Sequence, residues 1–123
     1  MSYDAELADR VRYVLETTPG LAHEAVAEKR MFGGLAFLVE DHLCVAVSHH
    51  GGLMLRVDPG AEEQLLALPH VEEMVMRERP VTGWLRVGAE GCVDPDDLRD
   101  WVTRGVERAQ GLAAREQEAQ KRA

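Results

Sequence analysis

The chain has 123 residues, of which 46% are hydrophobic, and this length suits one domain with one hydrophobic core. Its 22 acidic residues outnumber the 14 basic ones and give a formal net charge of −8, which disfavours nucleic-acid binding because phosphate backbones are repelled. No apolar run approaches the roughly 20 residues that span a membrane, and the first residues lack the basic-then-apolar order of a signal peptide. We therefore expect a cytoplasmic protein without membrane association.

An N-terminal helix is predicted over about residues 3–16, because apolar residues recur there at spacings of three and four. Ser2 is suited to cap this helix. The segment 17–20, Thr-Thr-Pro-Gly, ends it. The apolar stripe consists of Leu7, Ala8, Val11, Val14 and Leu15.

The middle of the chain has the pattern of antiparallel strands. Residues 23–30 are interpreted as extended, and a Met-Phe-Gly-Gly segment follows them. Two apolar runs, 35–39 and 43–48, are separated by three polar residues, which indicates a hairpin. After a His-His-Gly-Gly turn, residues 53–57 alternate in polarity and predict a further strand.

Prolines divide the next part of the chain. The Asp-Pro pair at 58–59 is a good helix start and predicts a short helix over 60–68. Residues 71–79 carry apolar side chains at helical spacing until Pro80 interrupts them, which predicts a second short helix. A final short strand is predicted over 83–87.

The last helix has the clearest signals, with Asp94 as its cap, Pro95 at its first position and acidic residues at 96–97 facing the positive end of the helix dipole. Its predicted buried stripe is Leu98, Trp101, Val102, Val106, Ala109, Leu112 and Ala113. We expect a domain over 1–113 and a polar helical tail over 114–123 that frays into solvent.

Several of these features occur together in one known family. A five-residue motif lies between the N-terminal helix, which contains Tyr3, and the alternating hairpin; the motif is Arg30-Met31-Phe32-Gly33-Gly34. It is followed by the strand over residues 53–57, by Trp84, and by Trp101-Val102 on the last helix. In this order they resemble the N-terminal domain of the TfoX/Sxy family of competence regulators. The resemblance implies an α+β fold, in which an antiparallel meander of about four to six strands packs with the N-terminal helix and the long C-terminal helix.

The resemblance also bears on function. It implies no catalytic residues, and we expect no cofactor. Family members that regulate competence carry a second, C-terminal helical domain, and this chain ends before such a domain could fit. We therefore expect a stand-alone N-terminal domain, with its link to competence open.

The family motif is the first candidate interaction site. It consists of Arg30, Met31, Phe32, Gly33 and Gly34. An aromatic residue before two glycines suggests a binding loop, or else a core phenylalanine beside a glycine bulge through which the strand enters the sheet. A phosphate loop does not fit, because a strand and not a helix follows the glycines.

Four arginines are candidate anion contacts: Arg56, Arg77, Arg79 and Arg86. The last three are close enough in sequence to form a local basic patch. The alternative is that they are solvated or paired with neighbouring glutamates such as Glu78 and Glu90.

Other reactive residues do not form a recognisable site. The five histidines lack ligand spacing, although His42 and Cys44 would share one face of a strand, and adjacent histidines such as His49 and His50 tend to point apart. Ser48 beside His49 has the wrong geometry for a catalytic pair. We therefore predict no metal site and no catalytic site. Cys44 and Cys92, the two cysteines, are expected to be free thiols.

The leading hypothesis is a non-catalytic regulatory or protein-interaction module. It would bind a protein partner, or its own copy as a homodimer, through a sheet edge or the apolar side of the hairpin. One alternative is a small-molecule (anion) binding protein or enzyme with a pocket between sheet and helices. Another is a nucleic-acid-associated regulator.

Overall fold

The computed structural model describes residues 3–31 and 33–122, so Ser2 and Phe32 lie outside the described residues. Within them the α-helices are α1 (Ala5–Glu16), α2 (Glu62–Leu66) and α3 (Pro95–Arg122). The strands are β1 (Val26–Met31), β2 (Gly34–Val39), β3 (His42–Val47), β4 (Leu53–Arg56), β5 (Val71–Met76) and β6 (Arg79–Val87). Short 3₁₀ turns occur at His23–Ala25, Pro59–Ala61 and Ala89–Cys92. The predicted α+β fold, with its N-terminal and long C-terminal helices, is confirmed.

The six strands form one antiparallel sheet in the order β1-β2-β3-β4-β6-β5. The first four strands follow one another as a meander, as predicted. Afterwards β6 pairs with β4, and β5 lies at the edge beside β6. The predicted extended segment before the Met-Phe-Gly-Gly motif is strand β1, at the opposite edge.

The prediction of a helix over 71–79 was wrong. Residues 71–76 form β5, Arg77 and Glu78 form a turn with φ values of 52° and 67°, and Arg79 begins β6. Val71 packs on the helix side of the sheet and Met74 on the opposite side. Because side chains alternate along a strand, a spacing of three places two apolar residues on opposite faces, and the sequence pattern resembles that of a helix.

Local capping fixes the start of α1. The Asp4 Oδ1 atom accepts a hydrogen bond from the backbone N of Leu7 at 3.1 Å, so Asp4 is the cap and not the predicted Ser2. The apolar stripe of the helix is buried as expected. Arg12 on its exposed side donates to both carboxylate oxygens of Glu28, at 2.7 and 2.8 Å, and so ties α1 to β1.

Helix α3 begins as predicted, because Asp94 Oδ1 accepts from the backbone N atoms of Asp96 and Asp97 at 2.8 and 3.2 Å. Its predicted stripe is buried except for Leu112, which is half-buried. The helix continues to Arg122, and residues 114–122 are all exposed. Fraying of this polar segment stays a prediction.

Two apolar clusters lie on the two faces of the sheet. The larger one, the helix-side core, contains the buried residues of α1 together with Leu65 of α2, the α3 stripe from Leu98 to Ala109 and the inward side chains of the strands. The smaller one lies on the other face and is called here the outer-face cluster. Its members are Met31, Ala36, Leu38, Leu43, Ala46, Met54, Met74 and Trp84. Among the described helices, none is both long and apolar enough to cross a membrane.

Candidate functional site

The outer-face cluster draws on every strand of the sheet and on strands alone. Ala36 and Ala46 are completely buried at its centre, and Met54 and Met74 are 4% and 6% exposed. Its other four members are half-buried, so solvent meets an apolar rim around a closed centre. An antiparallel sheet with helices on one face usually presents alternating polar residues on the other, which makes an apolar strip across six strands unusual.

An irregularity in β3 contributes to this strip. Phe37 pairs with Val45, but the next residue, Leu38, pairs with Leu43, so Cys44 is an extra residue in the ladder. Cys44 and Val45 therefore both turn toward the helix-side core, and Leu43 lies opposite Leu38 on the outer face. The bulge thus places two leucines on the solvent side of the hairpin.

Charged side chains adjoin the apolar strip. By strand register, Lys29, Arg56, Glu72 and Arg86 share the face of the outer-face cluster. The Arg56 guanidinium lies 5.8 Å from the centroid of the Trp84 ring, a cation–π arrangement. Burial lowers the pKa of Arg56, and the nearby charge of Arg108 lowers it further. The face therefore combines apolar residues with a local excess of positive charge.

The two glycines of the family motif are required by the backbone. Gly33 has a φ of +74°, and a Cβ atom there would lie 2.6 Å from Nδ1 of His49. A Cβ atom at Gly34 would overlap the carbonyl oxygen of Val47. The positive φ and the His49 ring account for Gly33, and the close approach of β2 to β3 accounts for Gly34, without any ligand.

The remaining motif residues divide between two surroundings. Met31 belongs to the outer-face cluster. The exposed Arg30 guanidinium lies 5.9 Å from the Tyr3 ring centroid, on the other face of β1. Phe32 lies outside the described residues, so the predicted role of the loop in binding stays a prediction. Through Met31, this loop borders the apolar strip.

The family model "TfoX N-terminal domain" matches residues 21–109. The chain belongs to the TfoX N-terminal domain family. The matched range contains all six strands, α2 and the first half of α3, whereas α1 and Tyr3 precede it. Searches of curated proteins and of solved structures gave no significant match. Because Leu7, Val11 and Leu15 of α1 pack in the helix-side core, α1 belongs to the same folded unit as the TfoX N-terminal domain.

The predicted arginine patch is not assembled in this TfoX N-terminal domain. Arg77 and Arg79 are exposed at the tip of the β5–β6 hairpin. Arg86 pairs with Glu72, four residues before the Met76 that pairs with Arg79, so Arg86 lies about 13 Å from Arg79 along the sheet at about 3.3 Å per strand residue. Its Nη2 atom donates to Ser48 Oγ at 3.4 Å. The structure instead brings Arg86 and Arg56 together on neighbouring strands.

The histidines of the TfoX N-terminal domain serve other contacts. His42 Nε2 is 2.9 Å from the Glu116 carboxylate on α3, and His70 lies 3.8 Å from that of Glu90. The rings of His49 and His50 do not point apart as expected but lie 3.8 Å from each other, because both belong to a turn and strand alternation does not apply. Within residues 3–31 and 33–122, no group of three or more metal-ligating side chains converges.

Neither cysteine nor Ser48 has the surroundings of a nucleophile. Ser48 Oγ accepts from the backbone N of His50 at 3.1 Å, and from Arg86 as described. Both thiols are free and buried. Burial raises the pKa of Cys44 to about 12 and that of Cys92 to about 11, so both stay protonated at neutral pH.

Sequence reasoning missed a second basic site. Arg104, Arg108 and Arg115 line a cleft of about 320 Å³ between α3 and the segment that follows β4. Their spacings of four and seven residues place them on one side of a helix, and this periodicity was the available signal. The residues opposite them come from a distant part of the chain, which the helix pattern alone does not reveal.

Proposed function

We propose that this TfoX N-terminal domain is a non-catalytic, regulatory protein-interaction module that binds a partner protein through the outer face of its sheet. The observation that carries the proposal is the apolar strip formed by all six strands on the face opposite the helices. Its family, which is not known as catalytic, supports the non-catalytic part. Two buried free thiols fit action in the reducing cytoplasm.

The composition of the outer face suits a binding surface. Trp, Met and Arg are enriched at the centres of protein interfaces, and here Trp84 lies beside Arg56 with Met54 on the neighbouring strand. Methionine adapts its shape to a partner because its side chain is unbranched and polarizable. At about 4.8 Å per strand spacing, six strands span about 24 Å, which is enough to seat a helix or a strand pair of another protein.

Charge favours a different protein as the occupant over a second copy of this chain. Lys29, Arg56 and Arg86 give the face three positive charges against one from Glu72, within a chain of net charge −8. In a two-fold dimer this face would meet itself, and its positive groups would face one another. We therefore expect a partner with an apolar surface edged by carboxylates.

The test compares paired variants in affinity capture from native cytosol, followed by measurement of the dissociation constant with the purified partner. Leu43→Asp places a charge within the rim, and Lys29→Glu reverses a charge beside it. Val93→Asp changes a side chain that is 69% exposed and outside the cluster, and Lys121→Glu reverses an exposed charge on α3. We expect the two face variants to weaken binding at least about tenfold and the two controls to leave it unchanged.

Two further readouts complete the test. Circular dichroism must show that each variant is folded. If Leu43→Asp does not fold, Lys29→Glu still tests the face, because Lys29 is exposed and its replacement is expected to leave the fold intact. Sedimentation at rising concentration shows whether the chain pairs with itself. A partner whose affinity is unaffected by both face variants, or a dimer that both of them disrupt, would contradict the proposal of a heterologous partner at this face.

A further inference from the structure

The cleft beside α3 has a basic side and an apolar side. Arg104, Arg108 and Arg115 project from α3, and Val57, Ala61 and Leu65 lie across from them. Val57 and Leu65 are buried members of the helix-side core, so the apolar side of the cleft is a firm surface. A volume of about 320 Å³ lies at the lower end of the range for small-molecule sites.

The cleft arginines lack close carboxylate partners. In the described part of the chain, the ion pairs within 4.0 Å are made by Arg12, His42, His70 and Arg122. The Nε atom of Arg108 is buried and has no hydrogen-bond partner among the described residues. A buried donor without a partner is costly, so the Arg108 guanidinium is held in place at a free-energy cost that no hydrogen bond of Nε offsets.

The acidic residues of the cleft offset only part of its positive charge. Asp58 uses its Oδ1 atom to accept from the backbone N of Gly60 at 2.9 Å, and Glu107 is exposed. The three arginines of the cleft therefore outnumber its two carboxylates. In a chain with a net charge of −8, this is a local positive potential that favours an anion.

A glycine in the helix wall gives independent support. Gly111 lines the cleft, and a Cβ atom placed there would have no atom within 4 Å, so packing does not require glycine. Glycine in a helix interior costs about 1 kcal/mol relative to alanine. At Gly105, by contrast, a Cβ atom would lie 2.6 Å from the carbonyl oxygen of Cys44. Gly111 thus leaves this part of the cleft wall without a side chain, at a cost in helix stability that no contact among the described residues explains.

We infer that the cleft binds a small organic anion, with the Arg108 guanidinium on its carboxylate or phosphate, Arg104 and Arg115 flanking it, and the three apolar residues opposite them on its hydrocarbon part. Planar guanidinium groups match both anions through paired hydrogen bonds. This site is separate from the outer face of the sheet, so it stands or falls independently of the proposed partner binding.

The probes are octyl phosphate, octanoate and the neutral octanol, titrated into the ¹⁵N-labelled chain and followed by amide chemical shifts. We expect saturable shifts at Val57, Leu65, Arg108 and Gly111 with at least one of the two anions, and at least about tenfold weaker binding of octanol. Tighter binding of octyl phosphate assigns the site to phosphates, and tighter binding of octanoate assigns it to carboxylates.

Three variants decide whether the cleft is responsible. Arg108→Gln and Gly111→Leu should each weaken anion binding at least about tenfold, by removing a charge-assisted hydrogen bond and by filling the space respectively. Arg122→Gln makes the same charge change at an exposed position outside the cleft and should have no effect.

Four outcomes would overturn the inference. These are the absence of saturable shifts with both anions, equal binding of octanol, an equal effect of Arg122→Gln and Arg108→Gln, and full binding by Gly111→Leu. Gly111→Leu replaces glycine by a better helix former at a position where a Cβ atom has no neighbour within 4 Å, so this variant is expected to fold. It therefore remains informative even if Arg108→Gln does not fold.

Discussion

Replacing Gly105 of α3 with alanine is expected to destabilise the domain, although alanine is the better helix former. The added Cβ atom would lie 2.6 Å from the carbonyl oxygen of Cys44, which is 0.8 Å closer than the 3.4 Å at which ordinary contact begins. It would also lie 2.9 Å from Cγ1 of Val45. Helix α3 would have to move away from β3, where Val102 and Val106 pack.

The expected magnitude follows from two opposing contributions. Overpacking a core costs about 1–3 kcal/mol, and the overlap with backbone favours the upper end of that range. Helix propensity returns about 1 kcal/mol. Gly105→Ala should therefore lower the free energy of unfolding by about 2 kcal/mol, whereas Gly111→Ala, with nothing near its Cβ atom, should raise it by up to about 1 kcal/mol.

Urea denaturation at 25 °C, followed by the fluorescence of Trp84 and Trp101, measures both changes. The two variants alter the same residue type in the same helix, so propensity cancels in their difference of about 3 kcal/mol. If Gly105→Ala proved as stable as the unaltered chain, the close packing of α3 on β3 would be wrong.

Three further changes probe other parts of the fold. Gly34→Ala should lower the melting temperature by more than Gly105→Ala does, since its Cβ atom would overlap the Val47 carbonyl within the sheet. A melting temperature of Gly34→Ala equal to or above that of Gly105→Ala would contradict this. Asp4→Ala should lower the free energy of unfolding, measured by urea denaturation, by about 1 kcal/mol because the α1 cap is lost, and Asp4→Asn should retain most of that stability. Burial raises the pKa of Cys44 from 9.0 to about 12 and that of Cys92 to about 11. Their thiols ionise from about pH 9 only in the unfolded chain, so the free energy of unfolding should fall as pH rises from 9 toward 11, and a Cys44→Ala, Cys92→Ala double variant should lose this dependence.

The candidate binding surfaces could be predicted only in part. Arg56 and Arg86 were identified as candidate anion contacts, but the sequence placed Arg86 with Arg77 and Arg79 because these residues are near in the chain. Strand pairing determines the neighbours instead, and it places Arg86 beside Met54 and Glu72. A residue's partners across a sheet depend on register, which local sequence does not encode.

The outer-face cluster also depends on register. An extra residue at Cys44 in β3 turns Leu43 outward. A second irregularity lies beside Met74 in β5, the strand whose helix-like spacing led to the wrong prediction of a helix. Bulges are defined by the pairing of two strands, so a single strand's alternation pattern does not reveal them. The cleft at Arg108 similarly joins α3 to the distant Val57 and Leu65.

The sequence by itself determined the elements whose signals are local. The stripe of α1, the Asp94 cap and long apolar face of α3, and the hairpin of β2 and β3 all follow from spacing within one segment, as does the motif around Gly33 that carries the family resemblance. Only the tertiary structure decided the strand order, the identity of β5, and which arginines meet which apolar side chains. Caps and periodicity act over a few residues, whereas burial and charge proximity depend on contacts between segments far apart in the chain.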